Sequence, residues 1–151
     1  LQVSGRSGRK DIQGMVVIQA WKPDHPILKD VVNHDYTSMY LRQLAERKKF
    51  YYPPYYRLII IRMKHRKAEI LNEGAAVFAK DLRALYGKLV YGPEFPLVGR
   101  VRNYYIKQTM LKIPKGASLT DVKKNIHESV IRTKTNSGFK SIIVQFDVDP
   151  Q

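Results

Sequence analysis

Tyr51-Tyr52-Pro53-Pro54-Tyr55-Tyr56 divides the chain. Neither proline can continue a helix, and each pushes the residue before it towards extended backbone. A helix that precedes this stretch must end there, and whatever follows must start afresh. The four tyrosines offer rings that either stack on nucleic-acid bases or pin the linker to the segments it joins. The expected organisation is an N-terminal segment over residues 1–50, a junction over 51–56 and a compact α+β domain over 57–151.

Beyond the junction the hydrophobic period alternates between strand and helix values. Over Arg57–Lys64, Ile59, Ile61 and Met63 share one face, and Leu58, Ile60, Arg62 and Lys64 share the other. Ala68–Tyr86 carries a helical stripe of Leu71, Ala75, Phe78, Leu82 and Leu85, and Gly87 is placed to end it. Lys88–Val101 is interrupted by Gly92-Pro93 and Pro96, which predicts an irregular or edge strand. Asn103–Ile113 reads as a long strand, and Pro114–Gly116 as a turn. Ser118 and Asp121 have capping-box spacing, so a helix should open there and run to about Val130 on Leu119, Val122, Ile126 and Val130. Thr133–Gly138 reads as a polar loop. Ser141–Val148 reads as a last strand, with Ile142, Val144 and Phe146 on one face. Strand, helix, strand, strand, helix, strand predicts a split βαββαβ sandwich, with both helices on one face of a four-stranded antiparallel sheet.

In the N-terminal segment, Met15–Ala20 is an apolar run of strand length. Cut off from a parent sheet, it should pack on the C-terminal domain or pair with a second copy, because an exposed edge is an association hazard. Asp24 should cap a short helix through Asn33, and Asp35 a second to about Lys49. Tyr36, Tyr40 and Leu44 are expected to be the packed face of that second helix.

The charge points to a partner. Lys and Arg number 27 against 13 Asp and Glu, a net charge of +14, and the excess is spread evenly along the chain. A folded surface with this surplus attracts polyanions, nucleic acid first, unless the charges simply solvate it. Arg62, Lys64, Arg66 and Lys67 form the densest basic run. Lys112 and Lys115 offer a second basic edge, and Lys123 and Lys124 a helix surface. All are candidates for phosphate contacts that read no sequence. Tyr104 and Gln108 share a strand face, where they either recognise a peptide or nucleotide or pack on the sheet.

Other chemistries are excluded. There is no cysteine, so there is neither a disulfide nor a thiolate metal site, and the four histidines lack ligand spacing. No apolar stretch approaches the roughly 20 residues of a membrane span. An intracellular protein without a membrane partner is expected. Asp147 and Asp149 either bind a cation or cap the last strand. No Gly-x-x-x-x-Gly-Lys-Ser/Thr loop and no catalytic triad or carboxylate pair is present, so the chain by itself is not expected to be an enzyme.

Residues 1–9 begin without an initiator methionine and read as part of a larger protein. Arg6 and Arg9, with Gly5 and Gly8 between small residues, either make bidentate phosphate contacts with close backbone approach or belong to a flexible lead-in, which such a stretch more often is. Gln2-Val3-Ser4-Gly5-Arg6-Ser7-Gly8-Arg9 resembles the last helicase motif of superfamily 2. Glu46-Arg47-Lys48 leading to Tyr52-Pro53-Pro54-Tyr55, Leu89-Val90-Tyr91-Gly92-Pro93, Tyr105 with Gln108, and Phe146-Asp147-Val148-Asp149-Pro150 extend the likeness. In that order they resemble one family, the bacterial replication-restart helicases of the primosomal protein N′ type.

The resemblance implies the C-terminal portion of a cytoplasmic, nucleoid-associated helicase. Such an enzyme unwinds DNA 3′ to 5′ with ATP and magnesium at forks, D-loops and single strands. It implies that Gln2, Gly5, Arg6, Gly8 and Arg9 face the ATP phosphates across a cleft whose other wall lies outside this chain. Residues 1–50 would then be the end of the second helicase lobe, and the C-terminal domain would be similar to a small ribosomal protein. The family's zinc is held by cysteines in a region absent here. Single-stranded DNA-binding protein and primosome proteins are the implied protein partners. The family docks the acidic tail of single-stranded DNA-binding protein near an Arg-Tyr-Arg-x-Gln pattern, which here reads Tyr104-Tyr105-Ile106-Lys107-Gln108. Both arginine positions are changed, and Lys107 or Arg102 would have to compensate.

Overall fold

The computed structural model describes residues 15–150. The chain divides at Gln43/Leu44, inside a helix that runs ahead of the tyrosine-proline stretch. Each unit is described by itself. The arginine motif at 2–9 lies outside the described residues.

In the first unit, α1 spans Pro26–Val32 and α2 starts at Tyr36 and ends at Lys49. His25, not Asp24, caps α1: its Nδ1 accepts the Ile27 N–H at 3.3 Å, with Pro26 in the first turn, where its missing N–H costs nothing. Asp35 caps α2 as expected, accepting the Ser38 N–H at 3.0 Å, and hydrogen bonds from Ser38 hold its carboxyl below the usual range. Within α1–α2, Arg42 clamps the buried Asp30 through two bonds of 2.7 and 3.1 Å. Two expectations fail here. Residues 15–20 form no strand, and all six are exposed. Tyr36 and Tyr40 stack at 6.1 Å between centroids, yet both stay exposed and α2 buries no residue.

The second unit contains β1 (Tyr56–His65), α3 (Ala68–Tyr86), β2 (Val90–Glu94), β3 (Arg100–Val101), β4 (Tyr104–Pro114), α4 (Leu119–Thr135) and β5 (Ile143–Val148). Short 3₁₀ turns cover Gly87–Leu89 and Ser137–Phe139. The sheet order is β2-β4-β1-β5, all antiparallel, with the two-residue β3 paired to β4. The predicted element order is therefore present, with β3 added, and β2 lies on an edge as its proline and glycine require.

The alternation of β1 makes the core. Ile59, Ile61 and Met63 are buried against Leu71, Ala75, Phe78 and Leu82 of α3 and Val122 and Ile126 of α4, with Leu111 and Ile113 beside them. One apolar cluster joins both helices to one sheet face, and burying each large side chain contributes about 1.5–3 kcal/mol. Leu85 is the exception in the α3 stripe, half exposed beyond the core.

The other end of the fold corrects the sequence reading. α4 continues through Thr133, which was expected in a loop. Ser129 and Thr133 are buried, and the Thr133 hydroxyl donates to the Ser129 carbonyl at 2.8 Å, so a polar pair satisfies itself inside the helix. Phe146 lies on the core-side face, opposite Ile61, but is 51% exposed.

Candidate nucleic-acid interface

Helices cover one face of the sheet. On the other, the β1 alternation presents Leu58, Ile60, Arg62 and Lys64. Directly opposed residues of antiparallel strands share a face. The register therefore places Gln108 of β4 and Gln145 of β5 on either side of Arg62, and Ile106 and Ile143 on either side of Lys64. Three strands thus bring an amide–guanidinium–amide row onto one surface, with Lys64 beside it between the exposed Ile143 and the buried Ile106. Gln108 also donates to Glu94 at 3.4 Å.

The cations on this surface differ in state. Arg62 pairs with Asp147 at 3.0 Å, both partly exposed, so its charge is partly neutralised. Lys64 has no carboxylate partner among the described residues. Arg66, in the turn after β1, lays its guanidinium 5.4 Å from the Tyr104 ring centroid. Lys67, the N-cap position of α3, gives its backbone N–H to His65 Nδ1 at 3.0 Å. His65 is itself buried, with Nε2 3.0 Å from the Ser141 hydroxyl. The basic turn is thereby anchored to the segment leading into β5.

The remaining candidates do not join this patch. Lys112 is only 4% exposed: its ammonium donates to the Phe50 carbonyl at 2.8 Å between the rings of Tyr52 and Tyr91. It is a buried anchor of the junction, unavailable to a phosphate. Lys115 follows Pro114, which pairs with Tyr56 at the far end of β1 from His65. The ten residues of β1 separate them by about 30 Å. Lys123 and Lys124 are exposed on α4, in the helical layer, and Lys123 borders an open cleft of about 320 Å³ with Ile126, His127, Phe146 and Val148. Tyr104 and Gln108 share the uncovered face, with Arg102 exposed in the adjoining turn, whereas Lys107 points to the opposite face, its ammonium 4.8 Å from the Phe95 ring.

The junction tyrosines pin the linker. Tyr51 meets Tyr56 edge to face at 5.0 Å, Lys48 lies over Tyr55, and Lys112 over Tyr52. A hydrogen bond to Tyr51 holds the Lys88 ammonium above its ordinary value. Asp149 caps the chain end: its carboxylate accepts the Leu58 N–H at 3.2 Å and its own N–H donates to the Leu58 carbonyl at 2.8 Å. Among the described residues there is no group of three or more His, Cys, Asp or Glu that could hold a metal ion. No described helix is long and apolar enough to cross a membrane.

Sequence reasoning passed over two features. Arg100 stacks on Tyr105 at 4.8 Å. Phe95, Leu97 and Val98 form an exposed apolar loop, whose signal was an apolar run where a turn rich in Pro and Gly should be polar.

An antiparallel α+β unit with one face open and basic is the class these observations define. The family model of the Primosomal protein N C-terminal domain matches residues 48–151, and the chain belongs to that family. It is similar to Replication restart protein PriA of Bacillus subtilis, 31% identical over 99% of this chain and 18% of that protein. The protein of the same name from Synechocystis is 33% identical over 75% of this chain and 14% of its own length. That of Treponema pallidum is 30% identical over 99% and 22%. The chain thus spans about a fifth of the length of such relatives. A de novo designed protein, Foldit4, has a TM-score of 0.45 at 9% identity over 64% of this chain and 98% of its own, too remote to carry an argument.

Proposed function

We propose that this chain is the C-terminal portion of a bacterial, cytoplasmic, ATP-dependent 3′–5′ DNA helicase for replication restart, and that residues 57–150 grip DNA by its backbone. The observation that carries the reading is the uncovered sheet face. Lys64 has no carboxylate partner among the described residues, Arg66 stands over an aromatic ring, and amides flank Arg62. Cations hold phosphates, amides and rings meet bases, and the strong surplus of positive charge draws the polymer in.

In this reading residues 1–50 close the second helicase lobe. The exposed apolar run at 15–18 and the unburied α2 fit an element whose neighbours lie elsewhere in the parent. Gln2, Gly5, Arg6, Gly8 and Arg9 would then serve the ATP and magnesium of the whole enzyme, and the C-terminal sheet would be of the small ribosomal protein type. Zinc belongs to the parent alone. The chain itself carries no catalysis and couples DNA contact to a motor.

A second reading has its own observation. Tyr104 and Gln108 lie together on the open face beside Arg102, a surface suited to docking single-stranded DNA-binding protein or a primosome component. Lys107, on the opposite face, does not contribute to it.

Fluorescence anisotropy of the chain with a labelled fork, duplex and single strand at two salt concentrations tests the first reading. Binding to DNA that weakens steeply with salt is expected. Absence of binding at low salt, with retained binding of an acidic peptide, would move the second reading to first place.

A further inference from the structure

The loop between β2 and β3 projects an apolar tip beside Arg100 and Arg102. Leu97 is 107% exposed, more than in a fully extended chain, with Val98 at 62% and Phe95 at 49%. The tip stands on a defined base. The Gly99 carbonyl accepts the Ile106 N–H at 2.8 Å, and Arg100 and Val101 pair with Tyr105 and Tyr104. Arg102 and Asn103 take φ of 46° and 65°, the positive values that a tight hairpin turn requires, and the Arg100 guanidinium bonds the Asn103 side chain across it.

Charge around the tip is mainly positive, with Glu94 at its base. Between Glu94 and Asp121 the chain has no acidic residue. Arg100, Arg102 and Lys107 flank the tip, and the Arg66 turn reaches the same end through Tyr104. A predominantly cationic rim complements a polyanion. The apolar centre is a protrusion, whereas an anchored peptide needs a concavity to receive its side chain. Nucleic acid is the polyanion that accepts a protruding apolar side chain, because an aliphatic wedge can enter between base steps and unstack them.

We propose that residues 95–102 are a nucleic-acid wedge: Leu97 seats against the unpaired or terminal base step of a DNA junction, while Arg66, Arg100 and Arg102 hold the flanking phosphates. This inference rests on the DNA reading above and deepens it, from backbone contact to recognition of the place where the duplex ends. It also gives the open sheet face a direction, with the junction at the His65 end of β1.

The test uses the whole 151-residue chain with a three-way fork carrying 2-aminopurine beside the junction, and a duplex with the same base in its interior. The wild-type chain should brighten the junction probe and leave the interior probe unchanged. L97S should abolish that rise with unchanged affinity for plain duplex, and L97M should retain it. Leu97 is wholly exposed, so neither change disturbs the core. If the chain binds the fork without brightening the probe, or L97S brightens it as well as wild type, the wedge is wrong and the backbone reading stands. If L97S leaves the DNA signal intact but loses an acidic peptide, the tip is a protein-docking element and the proposal is overturned. If the chain binds no DNA at low salt, both readings fail together.

Discussion

Lys112 holds its ammonium 3.6 Å from the ring centroid of Tyr52, with the Tyr91 ring at 4.5 Å and the Phe50 carbonyl at 2.8 Å. A buried cation here is matched by two π faces and a carbonyl dipole, with no carboxylate in ion-pair reach among the described residues. The arrangement ties the end of α2 and the tyrosine-proline junction to β4. Replacing Lys112 by Met keeps most of the stem but orphans the carbonyl and empties the cage. Destabilisation by about 1–3 kcal/mol is expected in urea unfolding. A double-mutant cycle with Tyr52→Leu should show a coupling of about 0.5–2 kcal/mol. DNA affinity should not change, since a phosphate cannot reach Lys112.

Lys64 and Arg66 should dominate polyanion binding. Substituting either by Ala should weaken DNA binding across sequences and lower the salt slope by about one unit. Lys123→Ala and Lys124→Ala, in the helical layer, should leave affinity and slope unchanged. Equal losses from both sets would mean that charge alone, without the sheet face, attracts DNA.

The extent to which the sequence disclosed this division depended on how local the causes were. The period-two alternation of Ile59, Ile61 and Met63 announced the core face of β1, and the stripe through Phe78 announced α3 to its last residue. Both patterns are set by neighbours a few positions apart. Lys112 was read, with Lys115, as part of a second basic edge. Its burial comes from Phe50 and Tyr52, far away in sequence, folding back over it. Thr133 was read as the start of a polar loop to Gly138, yet its hydroxyl has the Ser129 carbonyl to bond inside the helix. Met15–Ala20 has strand composition, but a strand needs a ladder partner, and composition alone cannot supply one.

The α3–α4 interface should show an acid-sensitive contribution. Hydrogen bonding from Arg132, at 2.8 Å, holds the Asp81 carboxyl below its ordinary value. A depressed folded-state value means that the contribution is fully present above the unfolded-state value, about 3.9, and is lost as pH falls through the folded-state value. Thermal unfolding of wild type and D81N should therefore differ at neutral pH and converge in acid. A difference that persists at the lowest pH would show that the pair acts by shape rather than charge.

Gly74 sits in α3 where an added methyl would run into the buried Ile142 side chain. Alanine gains about 1 kcal/mol in helix propensity, but overpacking a tight core costs about 1–3 kcal/mol. G74A should be net destabilising. At Gly92 two penalties add: φ is +86°, and a Cβ would stand 2.7 Å from the Gln108 carbonyl oxygen. G92A should cost more than G74A in the same unfolding assay, because backbone cannot move aside as a side-chain tip can.

The central claim is that the uncovered sheet face is the DNA-contacting surface. Its most direct test compares the salt dependence of fork binding for wild type and the Lys64→Ala/Arg66→Ala double variant by fluorescence anisotropy. The account predicts weaker binding and a slope shallower by about two units. An unchanged slope, with both proteins binding equally at every salt concentration, would contradict it and place the DNA on another surface.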